Sequence, residues 1–255
     1  MNIKHIQKVS ASSLFISRPN PSWFGNPGNP KSNPVWTEPD WLVSRFHFPF
    51  AEYSDPKRSG FGVLRVCNDD LLQPSRGFGT HPHRDMEIVT YIVNGALTHQ
   101  DSMGTKETLG RGSIQFMSAG TGVRHSEANA SNDSPLRFIQ IWIVPRDRGG
   151  EPNYGSLSRS APSSTLEHLV SDTKSSSQTS VRINQDANIY AGEIKEAMEL
   201  SIGQNRQVYL LCIEGNIAIG EIQLDKHEAA TISGPCQITL SPLEKSHLLY
   251  IEMSQ

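Results

Sequence analysis

Two short segments of the sequence combine residue types that bind metal ions. The first reads GFGTHPHRDME and contains His81 and His83, and the second reads GTGVRHSE and contains His125 and Glu127. Side chains two residues apart on a β-strand lie on the same face, so each pair presents its two donors side by side. Where two such strands face each other, three imidazoles and one carboxylate converge. This donor set suits Fe, Mn, Ni, Cu or Zn and lacks the thiolates of a structural zinc site.

Several other polar side chains in or near these segments are weaker candidates for metal ligands. Glu87 has the strand parity of the first histidine pair, so it could be a ligand, a hydrogen-bonding neighbour of a ligand or a solvent-facing strand residue. Arg84 and Arg124 alternate to the opposite face, where structural roles are expected. His99 lies beyond the next turn without a neighbouring donor and is assigned to the surface. Two other isolated histidines are assigned no metal: His227 and His247.

The donors must be carried by β-strands, and the surrounding sequence is typical of an all-β protein. Gly (20) and Pro (16) are plentiful, as expected for a chain with many turns. The apolar run MEIVTYIV ends at Asn94-Gly95, and this dipeptide between apolar runs predicts a β-hairpin because both residues tolerate positive φ. Residues 136–144 are apolar on both faces apart from Arg137 and Gln140, which predicts a central strand covered on both sides.

Composition divides the chain into two domains. The stretch 145–180 loses apolar residues and is typical of loops and connectors. We predict an N-terminal metal-binding domain at 1–150, a connector at 151–180 and a C-terminal domain at 181–255. Within the first domain, residues 18–41 are dense in Pro, Asn and Gly with tryptophans between them. This composition predicts an irregular segment that wraps the domain.

The C-terminal half contains a faint copy of the N-terminal pattern. Its run VYLLCIEGNIAI has the rhythm of IVTYIVNGAL, and Gly215 aligns with Gly95 at an offset of 120 residues. At that offset Ser201 and Gly203 stand where the first histidine pair stands. A duplicated domain and two unrelated hairpins with similar turns are equally compatible with the pattern. In either case we expect no metal ion in the C-terminal domain.

Composition and charge argue against several classes of function. The net charge is −3 and no basic block is present, so no direct nucleic-acid partner is expected. No apolar stretch approaches the roughly 20 residues that span a bilayer, and the N-terminal residues lack the apolar core of a signal peptide. A cytoplasmic monomer is the expectation. Three widely spaced cysteines are expected to be packing residues in a reducing compartment: Cys67, Cys212 and Cys236.

The segments THPHRDMEIVTYIVNGALTHQDSMG and MSAGTGVRHSE resemble the pirin family of cupins, and are most similar to the bacterial pirin-like proteins described as quercetin 2,3-dioxygenases. SRFHFPFAEYSDP, GFGVLRVCNDD and QIWIVP extend the resemblance over residues 40–155, and INQDANIYAGEI carries it faintly further. The chain departs from the family in the length and Pro/Trp content of residues 18–41 and in a Ser-rich connector near residue 175. Both departures leave the substrate open.

The resemblance implies a bicupin of two antiparallel β-barrel or jelly-roll domains, with metal only in the N-terminal one. It implies that His81, His83, His125 and Glu127 hold this metal and that Glu87 does not. Fe(II) is the expected ion, with Ni, Cu, Mn or Zn as alternatives.

The resemblance also implies a dioxygenase that opens a flavonol such as quercetin with O₂. A carboxylate beside the metal lies within reach of the 3-hydroxyl proton of such a substrate, so Glu127 is a candidate base as well as a ligand. Its alternative role is to hold the metal alone. Two other functions stay open: a metal- and redox-responsive regulator like the pirins of eukaryotic nuclei, and a cupin acting on another small molecule. Fold and ligands do not name a substrate, whereas the lack of a nuclear-import-like Lys/Arg cluster argues against the regulator.

Overall fold

The computed structural model describes residues 5–255, so residues 1–4 of the predicted N-terminal domain lie outside the described part of the chain. The chain divides into two compact units. The first unit consists of Phe15–Gly60 and Leu64–Ala161, and the second of the described residues through Leu14, Phe61–Val63 and Pro162–Gln255. The described residues include no helix long and apolar enough to cross a membrane.

The first unit is a β-sandwich. Its strands, numbered by their order in the chain, are β2 (Phe15–Ser17), β3 (Leu42–Phe46), β4 (Leu64–Leu72), β5 (Gly77–His83), β6 (Glu87–Asn94), β7 (Ala96–Asp101), β8 (Lys106–Gly110), β9 (Ile114–Ser118), β10 (Val123–Asn129), β11 (Leu136–Ile143) and β12 (Asn153–Leu157). They form a seven-stranded sheet, β12-β9-β6-β11-β4-β3-β2, and a four-stranded sheet, β5-β10-β7-β8. Apolar side chains of both sheets fill the space between them.

The predicted central strand is confirmed as β11, which lies between β6 and β4 in the larger sheet. Its apolar side chains are buried on both faces, apart from Trp142, which is half-buried. Arg137 would be costly at such a position without a partner. Its guanidinium donates to both carboxylate oxygens of Asp69 at 2.8 Å, and this bidentate pair explains how the charged residue is accommodated.

The second unit is also a β-sandwich. Its strands are β1 (Ile6–Val9), β13 (Glu167–Asp172), β14 (Val181–Ile183), β15 (Ala187–Ile194), β16 (Met198–Ile202), β17 (Arg206–Glu214), β18 (Asn216–Ile219), β19 (Ile222–Asp225), β20 (Ala229–Ser233), β21 (Cys236–Pro242) and β22 (Ser246–Ser254). Their sheets have the orders β1-β20-β17-β22-β15-β13-β14 and β16-β21-β18-β19. The predicted all-β class, with two domains of the β-barrel or jelly-roll type, is confirmed. The pair β13–β14 is parallel, whereas the other strand pairs of the described residues are antiparallel.

The Asn94-Gly95 dipeptide does not form the predicted hairpin. β6 belongs to the larger sheet and β7 to the smaller one, so the chain changes sheet at Gly95, where φ is +80°. A Cβ atom there would lie 2.7 Å from the carbonyl oxygen of Pro135, so the corner requires glycine. Gly215 joins β17 to β18 in the same way with φ +83°. The two aligned glycines therefore occupy the same corner of two similar sandwiches, which favours duplication.

The observed units differ from the predicted boundaries. Ile6–Val9 pairs with β20 and extends a sheet of the second unit. Asn153–Leu157, within the predicted connector, pairs with β9 and extends the first unit. Glu167–Asp172, also within that connector, is a strand of the second unit. Strands at or near a sheet edge need few apolar residues because less of their surface is covered, so composition does not separate them from loops.

The Pro-rich segment 18–41 is irregular and wraps its own unit, as predicted. The segment contains one short 3₁₀ helix, Pro21–Phe24. Another short 3₁₀ helix, Ala11–Ser13, belongs to the second unit. Trp41 is fully buried, and its Nε1 donates to the carbonyl oxygen of Pro19 at 2.7 Å. Phe24 packs against Trp41 and Phe78, with ring centroids 5.5 and 5.4 Å away.

Candidate metal centre

The two predicted donor pairs lie on neighbouring strands of the smaller sheet. β5 and β10 are antiparallel, and their register places His81 directly opposite His125. In each pair the residue between the two donors is more exposed than the donors, which are buried or half-buried. The predicted alternation is therefore present on both strands. The register shifts between His125 and Glu127, and such a bulge re-aims side chains locally.

Three imidazoles meet at this point. The ring centroids of His81, His83 and His125 lie 4.6–4.8 Å from one another, and one nitrogen of each lies within 4.8 Å of the others. The Nε2 atoms of His81 and His125 are 3.1 Å apart. Nδ1 of His81 donates to the carbonyl oxygen of Gly79 at 2.8 Å, which leaves the Nε2 lone pair of His81 free to bind a metal ion.

The imidazoles are held in their neutral form. Burial lowers the pKa of all three, because the charged imidazolium is poorly solvated there. Repulsion from neighbouring imidazoles adds to this effect for His83, whose pKa falls to about 4, and for His125, whose pKa falls to about 2. Neutral imidazoles are the form that coordinates metals.

The carboxylate of Glu127 crosses the sandwich toward the larger sheet. Its Oε1 accepts hydrogen bonds from Gln115 Nε2 at 2.9 Å and Thr90 Oγ1 at 3.3 Å. Its Oε2 accepts one from Gln140 Nε2 at 2.9 Å. Burial raises the pKa of Glu127 to about 7, although these three hydrogen bonds act to lower it. The side chain is thus fixed in position and close to its titration midpoint at neutral pH.

The assignment of His99 to the surface is wrong. Its side chain is fully buried, lies opposite Glu127 on the neighbouring strand β7, and is 2.8 Å from Asp101 through its Nε2. Because a carboxylate accepts, Nε2 is the donor. His99, His125 and Glu127 form a second group whose possible ligand atoms lie within 4.8 Å of one another. The i,i+2 spacing of His99 and Asp101 in THQD was the available signal.

Glu87 is neither a ligand candidate nor solvent-facing. It is 1% exposed, and its Oε1 accepts from Ser118 Oγ at 2.7 Å. Arg84 and Arg124 have the expected structural positions, because they are exposed and donate to backbone carbonyls of neighbouring segments.

A cavity of about 220 Å³ opens onto the histidines and Glu127. Its wall is largely aromatic, and Trp142 packs edge-on against His83 with centroids 4.8 Å apart. The aromatic residues that line the cavity come from the irregular segment, from both sheets and from the loop after β3: Trp23, Phe24, Phe46, Phe50, Phe78 and Trp142. The donor set beside this cavity, three neutral imidazoles and a carboxylate, fits a divalent transition metal ion.

The described residues of the second unit include no equivalent histidine group. Ser201 pairs with Gln237 where the first unit pairs its two histidines. A different group, Glu193, Glu214 and His247, brings possible ligand atoms within 4.8 Å. The ammonium group of Lys245 lies 2.6 Å from a carboxylate oxygen of Glu193 in that group and already neutralises this carboxylate. A metal-free second domain stays a prediction.

Known proteins are similar to this chain over most of its length. Family models match residues 30–143 (Pirin) and 169–253 (Quercetinase C-terminal cupin domain). A pirin-like protein from Caulobacter vibrioides is 37% identical over 219 residues, which cover 83% of this chain and 92% of that protein. A quercetin 2,3-dioxygenase from Escherichia coli K12 is 37% identical over 215 residues, which cover 84% and 92%. The structure of the bacterial pirin YhhW from Escherichia coli in complex with nickel(II) has a TM-score of 0.81 and 32% identity, covering 98% of this chain and 99% of that one.

Proposed function

This chain belongs to the pirin family, and we propose that it is a metal-dependent dioxygenase that cleaves a flavonol such as quercetin with O₂. The observation that carries the proposal is three neutral imidazoles and a buried carboxylate on the wall of an aromatic cavity. Relatives named quercetin 2,3-dioxygenase support the substrate class, and the nickel(II) complex of YhhW supports a divalent metal.

In this proposal His81, His83, His125 and Glu127 hold one divalent ion. The edge-on contact with Trp142 fixes the ring of His83, and the carbonyl of Gly79 fixes that of His81. Nitrogen and oxygen donors accept Fe(II), the ion expected from the sequence, and also Ni, Cu, Mn or Zn. When bound, such an ion acts as a Lewis acid toward a chelating hydroxyl group.

Glu127 takes the 3-hydroxyl proton of the flavonol in this proposal. The carboxylate of Glu127 lines the cavity beside the three histidines, so a hydroxyl group bound there can come within hydrogen-bond reach of this base. Its Oε1 already accepts two hydrogen bonds, whereas Oε2 accepts one, from Gln140. We therefore assign the proton to Oε2. The donors from the larger sheet then hold the carboxyl group in place before and after the transfer.

Aerobic incubation of the metal-loaded protein with a panel of flavonols tests the proposal, with O₂ consumption and flavonol loss as readouts. Glu127→Gln should retain measurable metal yet lose most turnover, more so at low pH, where the substrate is protonated. Glu87→Gln is the matched control, because it neutralises a buried carboxyl group that does not line the cavity. Its turnover should stay near that of the unaltered protein.

Two results would contradict the proposal at different levels. If the metal-loaded protein consumes no O₂ with any flavonol, the substrate class is wrong. If Glu127→Gln has near-normal turnover per bound metal, Glu127 is a ligand without a role as base.

A further inference from the structure

A row of polar side chains crosses the larger sheet beneath the metal centre. Strand register places Asn68 on β4 next to Gln140 on β11, followed by Thr90 on β6 and Gln115 on β9. None of the four is more than 8% exposed. Three of them donate to the carboxylate of Glu127. Asn68 is the fourth member of the row and lies one strand further from that carboxylate.

The side-chain oxygen of Asn68 has no hydrogen-bond partner among the described residues. Asn68 is 2% exposed and lines the cavity. The carboxylates and the other amide of the cavity wall have hydrogen-bond partners. Ser17 donates to Glu52, Ser44 donates to Asp70, and Gln140 donates to Glu127. A buried acceptor without a donor is costly in a folded protein. Because Asn68 lines the cavity, rotation of its amide about the Cβ–Cγ bond would let this enclosed oxygen accept a hydrogen bond from a ligand there, which would remove that cost.

The position of Asn68 sets the size of such a ligand. Neighbouring strands lie about 4.8 Å apart, so Asn68 stands one strand spacing from Gln140, whose Nε2 is 2.9 Å from Glu127. Its other neighbour in the row is Phe46 on β3, which also lines the cavity. The acceptor therefore belongs to an aromatic wall within one small molecule's length of the metal centre.

We infer that Asn68 is a specificity-determining residue that accepts a hydrogen bond from a second hydroxyl group of an aromatic ligand whose first hydroxyl lies at the metal centre. This inference rests on the proposed function and narrows its substrate class to polyhydroxylated flavonols. A site built to pair with a hydroxyl group discriminates against analogues that lack it, because its buried acceptor then stays unpaired.

Calorimetric titration of the nickel-loaded protein without O₂ tests this inference. It measures the affinity of two ligands for the unaltered protein and for variants of Asn68. The ligands are quercetin, which has several hydroxyl groups, and 3-hydroxyflavone, which keeps only the chelating one. Asn68→Leu should weaken quercetin binding about tenfold and leave 3-hydroxyflavone binding unchanged or slightly tighter. Asn68→Ala should behave in the same way. Cys67→Ala is the control for disturbing β4, because Cys67 is buried in the same strand but does not line the cavity.

The metal content and the thermal unfolding midpoint of the Asn68 variants distinguish a role of Asn68 in ligand recognition from a role in the stability of the fold. Removing an unpaired buried acceptor should leave both unchanged or raise the midpoint. Equal losses for the two ligands, or quercetin affinity that is unaltered in both Asn68 variants, would overturn the inference while the proposed function stands. If the unaltered protein binds neither ligand, the proposed function fails and this inference fails with it.

Discussion

Replacing Glu127 by glutamine should change how the stability of the metal-free protein depends on pH. Burial raises the pKa of Glu127 from an ordinary value of 4.5 to about 7. The folded state therefore holds the proton more tightly than the unfolded state. The contribution of Glu127 to stability is fully present below about pH 4.5 and is lost as the pH rises through about 7. At 1.36 kcal/mol per pKa unit, the total loss is about 3 kcal/mol.

The side-chain amide of the Glu127→Gln variant does not titrate, so the difference in unfolding free energy between the two proteins reports Glu127 together with its repulsive effect on Asp70, whose pKa it helps to raise. We expect the unaltered protein to lose about 3 kcal/mol relative to Glu127→Gln between about pH 4.5 and pH 8. Urea denaturation of chelator-treated protein, followed by tryptophan fluorescence, measures this difference. The fluorescence reports the first unit alone because all four tryptophans lie there: Trp23, Trp36, Trp41 and Trp142.

Metal loading provides the internal control. A bound divalent cation stabilises the charged carboxylate, so it should reverse the order and make the unaltered protein the more stable one above pH 7. Parallel pH profiles for the two metal-free proteins would refute the reasoning, since they would show that Glu127 is as readily ionised in the fold as in the unfolded chain.

Three further predictions concern the metal. His81→Ala or His125→Ala should lower metal content sharply, and full occupancy in both variants by elemental analysis would disprove the ligand assignment. Titration should saturate near one equivalent per chain, because Lys245 already pairs with Glu193 in the second unit; a second tight equivalent that survives His81→Ala would contradict this. Thiol reagents should modify Cys236, the one cysteine that is not fully buried, without releasing metal, and metal loss would point to a sulfur ligand.

The hairpin predicted at Asn94-Gly95 and the surface position predicted for His99 are wrong because local sequence patterns do not report contacts between distant residues. Asn94-Gly95 indicates where the chain bends, because φ preferences are local. Whether the next strand pairs with the previous one or crosses to the opposite sheet depends on partners far along the chain. Here β6 is already flanked by β9 and β11, so the bend becomes a corner. The surface assignment of His99 fails for a related reason, since its burial comes from neighbours on other strands, including Tyr154, which stacks on it.

Local patterns in the amino-acid sequence suffice to predict the all-β class, the central strand at 136–144 and the two donor pairs, because strand alternation and apolar content are read from adjacent residues. The surroundings of those donors, in contrast, depend on contacts between distant parts of the chain. The polar row from Asn68 to Gln115 joins four strands, and its members Thr90 and Gln140, which are hydrogen-bonded to each other, are 50 residues apart. No local period marks such a row. Strand order and register align its members, and this alignment gives Glu127 its three donors and leaves Asn68, whose side-chain oxygen has no partner among the described residues, on the wall of a ligand cavity.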